Sequence, residues 1–318
     1  MKEIGGFFQL EEFLDNEYYR DLLRLNSGRN ALLYILKARK ITKLYIPIFL
    51  CDSVYNMLKN HGYDYEFYKI KTDFKPDLNR KFEGSEYLYI VNYYGQLTHK
   101  DILNLKEIYG NIIVDNTHSF FQKPLQGIDT IYNCRKWFGV PDGAYLSTNI
   151  LLNEKLKMDK SKERLNHLIG RYEETASEYY KEFQKNDEEF EKLELCEMSN
   201  LTHNLLKAID YNKVKKERLE NYKILNEKLK GINLLNLVNA DVPFCYPLYV
   251  ENAEILRKKL IENKVYVPTL WPNALQDATK QSLEYEYAKN IIPMPCDQRY
   301  GLEEMNYIIK LIKNSSGR

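Results

Sequence analysis

The chain lacks any apolar run near the ~20 residues that a membrane-spanning helix requires. It also lacks an excess of either charge. Forty-six Lys and Arg face 45 Asp and Glu, for a net charge of +1. That balance gives no general field to hold nucleic acid, and a basic-patch binder is disfavoured. Cysteine is sparse and unpatterned. Cys51, Cys134, Cys196, Cys245 and Cys296 are odd in number and contain no CxxC pair. A disulfide framework and a zinc ribbon are therefore disfavoured, and reduced, mostly buried thiols are expected. The start, MKEIGGFFQLEEFLDNEYY, carries acids where a secretory signal would carry basic and then apolar residues. No internal repeat or low-complexity segment is present. Together these absences predict a soluble cytoplasmic protein without a nucleic-acid or membrane partner.

What is present is globular: 318 residues, 44% of them hydrophobic. That length suits one large or two modest domains. The 27 tyrosines carry no functional assignment. The first half alternates strand and helix signals. Helical spacing covers 30–39, 53–61 and 100–109. Strand signals cover 44–49, 63–70, 87–95, 112–114, 129–132 and 143–147. Strands alternating with helices of about ten residues imply a mostly parallel sheet covered on both faces. The character changes near residue 153, where a long, charged, almost glycine-free stretch to residue 233 reads as several helices. Beyond it, strands at 242–250 and 265–271 and helices at 252–263 and 302–313 predict a smaller α+β unit.

Three places could carry chemistry. Asp115 ends the strand 112–114, and ligands of open parallel sheets sit beyond the carboxyl ends of strands. The same residue in Asp-Asn-Thr also suits a turn or helix cap. Lys136, in NCRKWFGVPDGAYL (133–146), lies among aromatics that would desolvate it and favour the neutral amine a Schiff base needs. A surface lysine whose stem covers those aromatics is the alternative. In NSGRNAL (26–32), Ser27, Gly28 and Arg29 open a helix whose N-terminus would seat a phosphate, or merely supply an ordinary cap. Together the three describe a pyridoxal 5′-phosphate (PLP) site, with phosphate loop, acid and lysine in that order.

At this point the sequence resembles the DegT/DnrJ/StrS-type sugar aminotransferases, a branch of the fold-type-I PLP enzymes. NSGRNAL resembles their phosphate loop, and LYIPIFLCDSV (44–54) their proline-centred strand and helix. VNYYGQ (91–96) is similar to their Tyr-Gly-Gln turn. VDNTHSF (114–120) resembles their acidic segment, and the loop around Lys136 resembles their lysine loop. SNLTHNLLKAIDYNKVKKERLENY (199–222) resembles the long helical region that follows.

The resemblance implies an α/β fold of type I: a large domain over 1–215, whose N-terminal segment packs on the small domain, and a small domain over 216–314. Residues 315–318 read as a foreign tail. It implies Lys136 as Schiff-base lysine and proton shuttle, Asp115 as partner of the pyridinium nitrogen, and His118 beside the ring or its O3′. Ser27, Gly28, Arg29 and Asn133 would serve the phosphate, with Asn92 and Gln96 lining the pocket. Arg29 stands where the family has Thr, Asn133 where related enzymes have Ser, and Cys51 about where an aromatic would stack, so that stacking falls to His118. Arg299 is a candidate substrate-anion binder or a structural ion pair, and Trp271 a pocket wall or a packing residue. The implied reaction moves an amino group from an amino-acid donor, plausibly glutamate, to a keto sugar or small carbonyl acceptor, in surface polysaccharide synthesis, within a homodimer. Another PLP reaction (decarboxylase, lyase or dehydratase) or a non-catalytic binding module are the alternatives. Lys136 itself argues against the sugar-dehydratase variant, which has His there.

Overall fold

A computed structural model describes residues 4, 6–238 and 240–314. The tail assigned to 315–318 lies outside the described residues. An eight-stranded sheet is built from β1 (Leu23–Leu25), β2 (Lys43–Pro47), β3 (Asp64–Ile70), β4 (Pro76–Asp77), β5 (Glu86–Val91), β6 (Ile112–Asp115), β7 (Asp129–Asn133) and β8 (Ala144–Ser147). Their spatial order is β1-β8-β7-β6-β5-β2-β3-β4. The central pairs β3–β2, β2–β5, β5–β6 and β6–β7 are parallel, and the flanking pairs are antiparallel. The apolar runs of β2, β5 and β6 are buried on both faces, as a covered parallel sheet requires.

Helices α1 (Gly28–Ala38), α2 (Asp52–Asn60) and α3 (His99–Tyr109) connect these strands. Helix α1 begins because Ser27 is extended and its Oγ accepts the Asn30 N–H at 3.2 Å. All of Ala31–Leu36 is buried, so α1 is a core helix. Helix α3 opens with a Thr98–Asp101 capping box and stops at Gly110, where φ is +75°. A Cβ on Gly110 would lie 2.5 Å from the Phe82 carbonyl oxygen.

Next come α4 (Asn166–Glu173), α5 (Tyr180–Phe190), α6 (Asn200–Lys207) and α7 (Tyr211–Leu229). A second core gathers Tyr222, Leu225 and Leu229 of α7 with the antiparallel pair β9 (Tyr246–Tyr249) and β10 (Ile291–Met294), and with α8 (Ala253–Glu262) and α11 (Leu302–Lys313). Two expectations about domain packing fail. The N-terminal segment packs on the large unit, where Tyr19 meets Phe120, Tyr132 and Tyr145. The chain from Leu270 through α9 (Ala274–Asp277) and α10 (Leu283–Asn290) also returns to the large sheet. Glu284 of α10, fully buried, accepts the Ile70 N–H of β3 at 2.8 Å. The strand expected over 265–271 is absent, because that segment makes the crossing and pairs with no strand.

Candidate active site

The carboxyl ends of β2, β5, β6 and β7 and the N-terminus of α1 meet at one edge of the sheet, where ligands of open α/β sheets bind. Asp115 closes β6 and is 8% exposed. Its Oδ1 accepts the Thr117 N–H at 2.8 Å, and its Oδ2 accepts the Tyr89 hydroxyl at 2.7 Å. Burial raises its pKa. Those two hydrogen bonds and the Lys136 charge oppose burial without overcoming it. Asp115 is thus both the turn residue and a desolvated carboxyl aimed at the crevice edge.

Lys136 ends a single 3₁₀ turn after β7, in which the Asn133 side chain accepts the Arg135 N–H at 3.2 Å. Its charge is felt by both Asp115 and His118. The expected apolar surroundings are not there. Trp137 and Phe138 turn into the core and leave Lys136 exposed in the single chain. Among the described residues its Nζ makes no hydrogen bond or ion pair. Trp137 ties the lysine loop to the Asp115 loop by donating its indole N–H to the Thr117 carbonyl at 2.8 Å.

His118 is buried, and its Nδ1 has no partner. Burial, with a smaller push from the Lys136 charge, lowers its pKa to about 3. The ring is therefore neutral near pH 7. Its face does not await a cofactor ring: Phe244 lies parallel to it at 4.1 Å and 8°, and Trp271 stacks at 5.4 Å. Trp271 also meets Phe49 and Tyr93 edge-on at 4.5 and 5.3 Å. It belongs to the large unit's aromatic wall beside the crevice, not to the small core.

The phosphate-loop candidates do come together. A Cβ on Gly28 would sit 3.3 Å from the Asn133 amide nitrogen, tight enough that the Asn133 side chain would have to shift by a few tenths of an ångström. Ser27 spends its hydroxyl oxygen on the cap. The Gly28 and Arg29 N–H groups precede any intrahelical partner. Arg29 is half-buried, and among the described residues it makes no hydrogen bond or ion pair. Burial chiefly lowers its pKa.

Three candidates are committed elsewhere. Asn92 donates to Asn116 and Gln122 at 3.0 Å each and accepts the Leu97 N–H at 2.8 Å. It holds the turn after β5, with its amide engaged by these partners. Gln96 clamps Val238 through both amide atoms, at 3.1 and 2.8 Å. Arg299 is the structural ion pair: its fork grips Asp297 at 2.6 and 2.8 Å.

The sequence reading missed Tyr89, Phe244, Arg135 and Arg218. Arg218, in a charged run that resembles a solvated face, is 2% exposed. Its guanidinium lies 4.3 Å from the Trp137 ring centroid. It donates to Gln298 at 2.8 Å and to the Pro243 and Phe244 carbonyls at 3.1 and 3.0 Å. Gln298 in turn donates to the Trp137 carbonyl at 2.9 Å.

No family model matches the chain, and no curated protein does. Solved structures match along nearly its whole length. A DegT/DnrJ/EryC1/StrS aminotransferase from Brucella abortus aligns with a TM-score of 0.62 at 15% identity, over 93% of this chain and 86% of that one. The sugar aminotransferase CalS13 of Micromonospora echinospora aligns at 0.61 and 12% identity, over 92% and 87%. PseC of Helicobacter pylori, an aminotransferase involved in the biosynthesis of pseudoaminic acid, aligns at 0.60 and 14% identity, over 92% and 85%. The chain has the fold-type-I PLP-transferase architecture. At such identities the likeness is one of fold, and the chemistry must be argued from the residues.

Those residues fit PLP. Within a fold-type-I frame, the unpartnered Lys136 amine, the buried Asp115 carboxyl and the orphaned His118 Nδ1 share one edge. The cradle at Gly28, which a Cβ would crowd, lies at the N-terminus of α1 on the same edge.

Proposed function

We propose that the chain is a PLP-dependent aminotransferase similar in chemistry to the DegT/DnrJ/StrS enzymes. The observation that carries this reading is the meeting of Lys136, Asp115 and the α1 N-terminus at the carboxyl edge of a parallel sheet. PLP, when bound, supplies the electron sink that transamination requires. Gly28 and Arg29 of this chain, with Asn133, would hold its phosphate. Asp115 would keep a proton at the ring nitrogen, and a positive charge there would offset the desolvation that now raises its pKa. His118, neutral, would offer its unpartnered Nδ1 to the cofactor's ring hydroxyl. The Lys136 Nζ takes and returns the proton of the substrate carbon as general base and acid. Trp271 walls the pocket.

An amino acid such as glutamate is the donor in this reading, and a keto sugar or another small carbonyl compound the acceptor. The sugar aminotransferases that share the fold support that acceptor class, and a role in surface polysaccharide synthesis belongs to the same reading. A C2 homodimer follows from the same reading. Lys136 must work out of bulk water, yet it is exposed in one chain. Phe7, Phe8 and Leu14 are 98%, 97% and 88% exposed and are suited to a second copy. No helix among the described residues is long and apolar enough to cross a membrane.

The test is an absorbance scan with added PLP, followed by a screen of amino donors and then of keto acceptors. A band near the visible edge that bleaches with a donor and returns with an acceptor supports transamination. A band that no donor bleaches points to another PLP reaction, and no band at all leaves only a binding module. Light scattering at micromolar concentration tests the dimer, and a PLP-binding monomer of about 38 kDa would defeat it.

A further inference from the structure

Two guanidinium groups flank the cup beside Gly28, and only one of them is paired with a carboxylate. Arg135 follows Asn133, whose amide nitrogen lies against Gly28, so Arg29 and Arg135 flank the same cradle. Arg135 is bound by Asp187 of α5 at 2.6 Å, and its guanidinium lies 3.7 Å from the centroid of the Phe190 ring. Arg29 makes no hydrogen bond or ion pair among the described residues. The Arg135 charge also disfavours the charged form of Arg29, because like charges in a desolvated place repel. The carboxylates of Glu191 and Asp187 favour the charged Arg29 from a distance, but neither pairs with it, so the cradle holds an unpaired guanidinium.

Helix α5 sits over this place with a second anomaly. Asn186 is 4% exposed, and neither its amide nitrogen nor its amide oxygen has a partner. It shares the buried face of α5 with Phe190, one turn further on. A buried amide with both ends unmet is costly, on the order of 1–3 kcal/mol per group. Its neighbour Asp187, by contrast, keeps a side chain that is 49% exposed. A helix seated through a half-exposed ion pair and an unsatisfied amide is poorly committed to its seat.

We propose that Arg29 and Arg135 together form a clamp for a phosphate dianion, and that Asp187 is the internal anion that occupies Arg135 until that dianion displaces it and frees α5. This rests on reading the cradle as the phosphate seat of the proposed function, and it adds how that seat is regulated. A dianion would satisfy both guanidiniums through charge-assisted hydrogen bonds, where the single Asp187 carboxylate satisfies one. Release of α5 would also return Asn186 to water. The chain would thus hold its cofactor seat shut when empty, and cofactor binding would open the helix that covers it.

Inorganic phosphate is the first probe and sulfate the second, with sodium chloride at matched ionic strength as the control. Calorimetry measures affinity, and hydrogen–deuterium exchange follows residues 180–190. Phosphate and sulfate, but not chloride, should raise exchange across α5. Asp187→Asn should bind phosphate about ten-fold more tightly, the scale of one charge-assisted contact, and Arg29→Gln in that background should reverse the gain. Because Asp187 is half exposed, the variant should fold, and circular dichroism checks that it does. Unchanged affinity in Asp187→Asn, no phosphate binding by it, or unchanged or lowered exchange in α5 would each overturn the proposal. The aminotransferase reading fails separately, if PLP gives no reducible adduct at Lys136. Phosphate alone decides the clamp.

Discussion

Tyr89 on β5 donates its hydroxyl to Asp115 at the end of β6 across 2.7 Å. The register pairs Val91 with Asp115, so Tyr89 stands two residues back on the same face and reaches the carboxyl diagonally. Its own ionisation is pushed far up by burial, so it remains a donor at any working pH. Asp115 is thereby held in one orientation by two donors, yet its pKa still lies above the ordinary value.

That imbalance gives a sign. A carboxyl whose folded pKa is raised binds protons better in the fold than in the unfolded chain. Its ionisation therefore lowers stability as pH climbs through the raised value. At neutral pH the cofactor-free protein carries Asp115 at a cost. Asp115→Asn should melt at the same or a higher temperature without cofactor, while PLP affinity and the transamination half-reaction fall by orders of magnitude. Tyr89→Phe should lose about 1–3 kcal/mol of stability for its missing donor and weaken PLP binding less than Asp115→Asn. A clear drop in the melting temperature of cofactor-free Asp115→Asn would mean that the carboxylate is chiefly structural.

Lys136→Ala should abolish the borohydride-reducible PLP adduct with little change in cofactor-free stability, because the side chain is exposed and unpartnered. Mass spectrometry of the reduced, digested protein locates the label. Equal labelling of another lysine removes Lys136 from the reaction.

The sheet was legible because its strands are short apolar runs set between helical spacings, and a covered parallel sheet leaves no other pattern. The positions of Lys136, Asp115 and Gly28 at strand and helix ends were legible because turn and cap residues bound the apolar runs there. What failed shares a cause. Asn92 and Gln96 hold motif positions, but their amides are engaged by Asn116, Gln122 and Val238, and motif position does not tell which use an amide serves. Trp271 and residues 270–290 were read as one unit with their neighbours in sequence. The chain instead crosses back, and no local periodicity records that crossing. Arg218 was invisible because a buried arginine inside a charged helix has the spelling of a solvated one.

His118 offers a pH test. Its pKa falls from an ordinary value near 6.5 to about 3 in the fold. Below pH 6.5 the unfolded chain takes a proton that the folded one refuses, so stability declines as pH falls through that window. His118→Gln removes the term. Urea unfolding of both proteins at pH 7, 6, 5 and 4 should show the wild type losing up to about 1.4 kcal/mol more per pH unit than the variant. Parallel profiles would mean that the ring is reached by solvent and titrates normally.

Arg218 joins the small core to the lysine loop, and its removal distinguishes support from bulk. Methionine is similar in length and could fill the space over Trp137. Burying a charge is expensive, and an apolar replacement of a buried ion is sometimes neutral. Here the partners decide otherwise. The Pro243 and Phe244 carbonyls and the Gln298 side-chain oxygen all accept from this one guanidinium, and methionine would strand them. At about 1–3 kcal/mol for each unsatisfied group, Arg218→Met should cost about 3 kcal/mol or more. Gln298→Leu should cost less, about 1 kcal/mol, because it leaves Arg218 its two carbonyls. Both variants loosen the same contact, the Gln298 donation to the Trp137 carbonyl beside Lys136. Both should therefore shift the pH at which the PLP absorbance band changes, in the same direction, although their stabilities differ. An unshifted band in Arg218→Met, despite its lost stability, would mark that arginine as packing, with no part in setting the lysine loop.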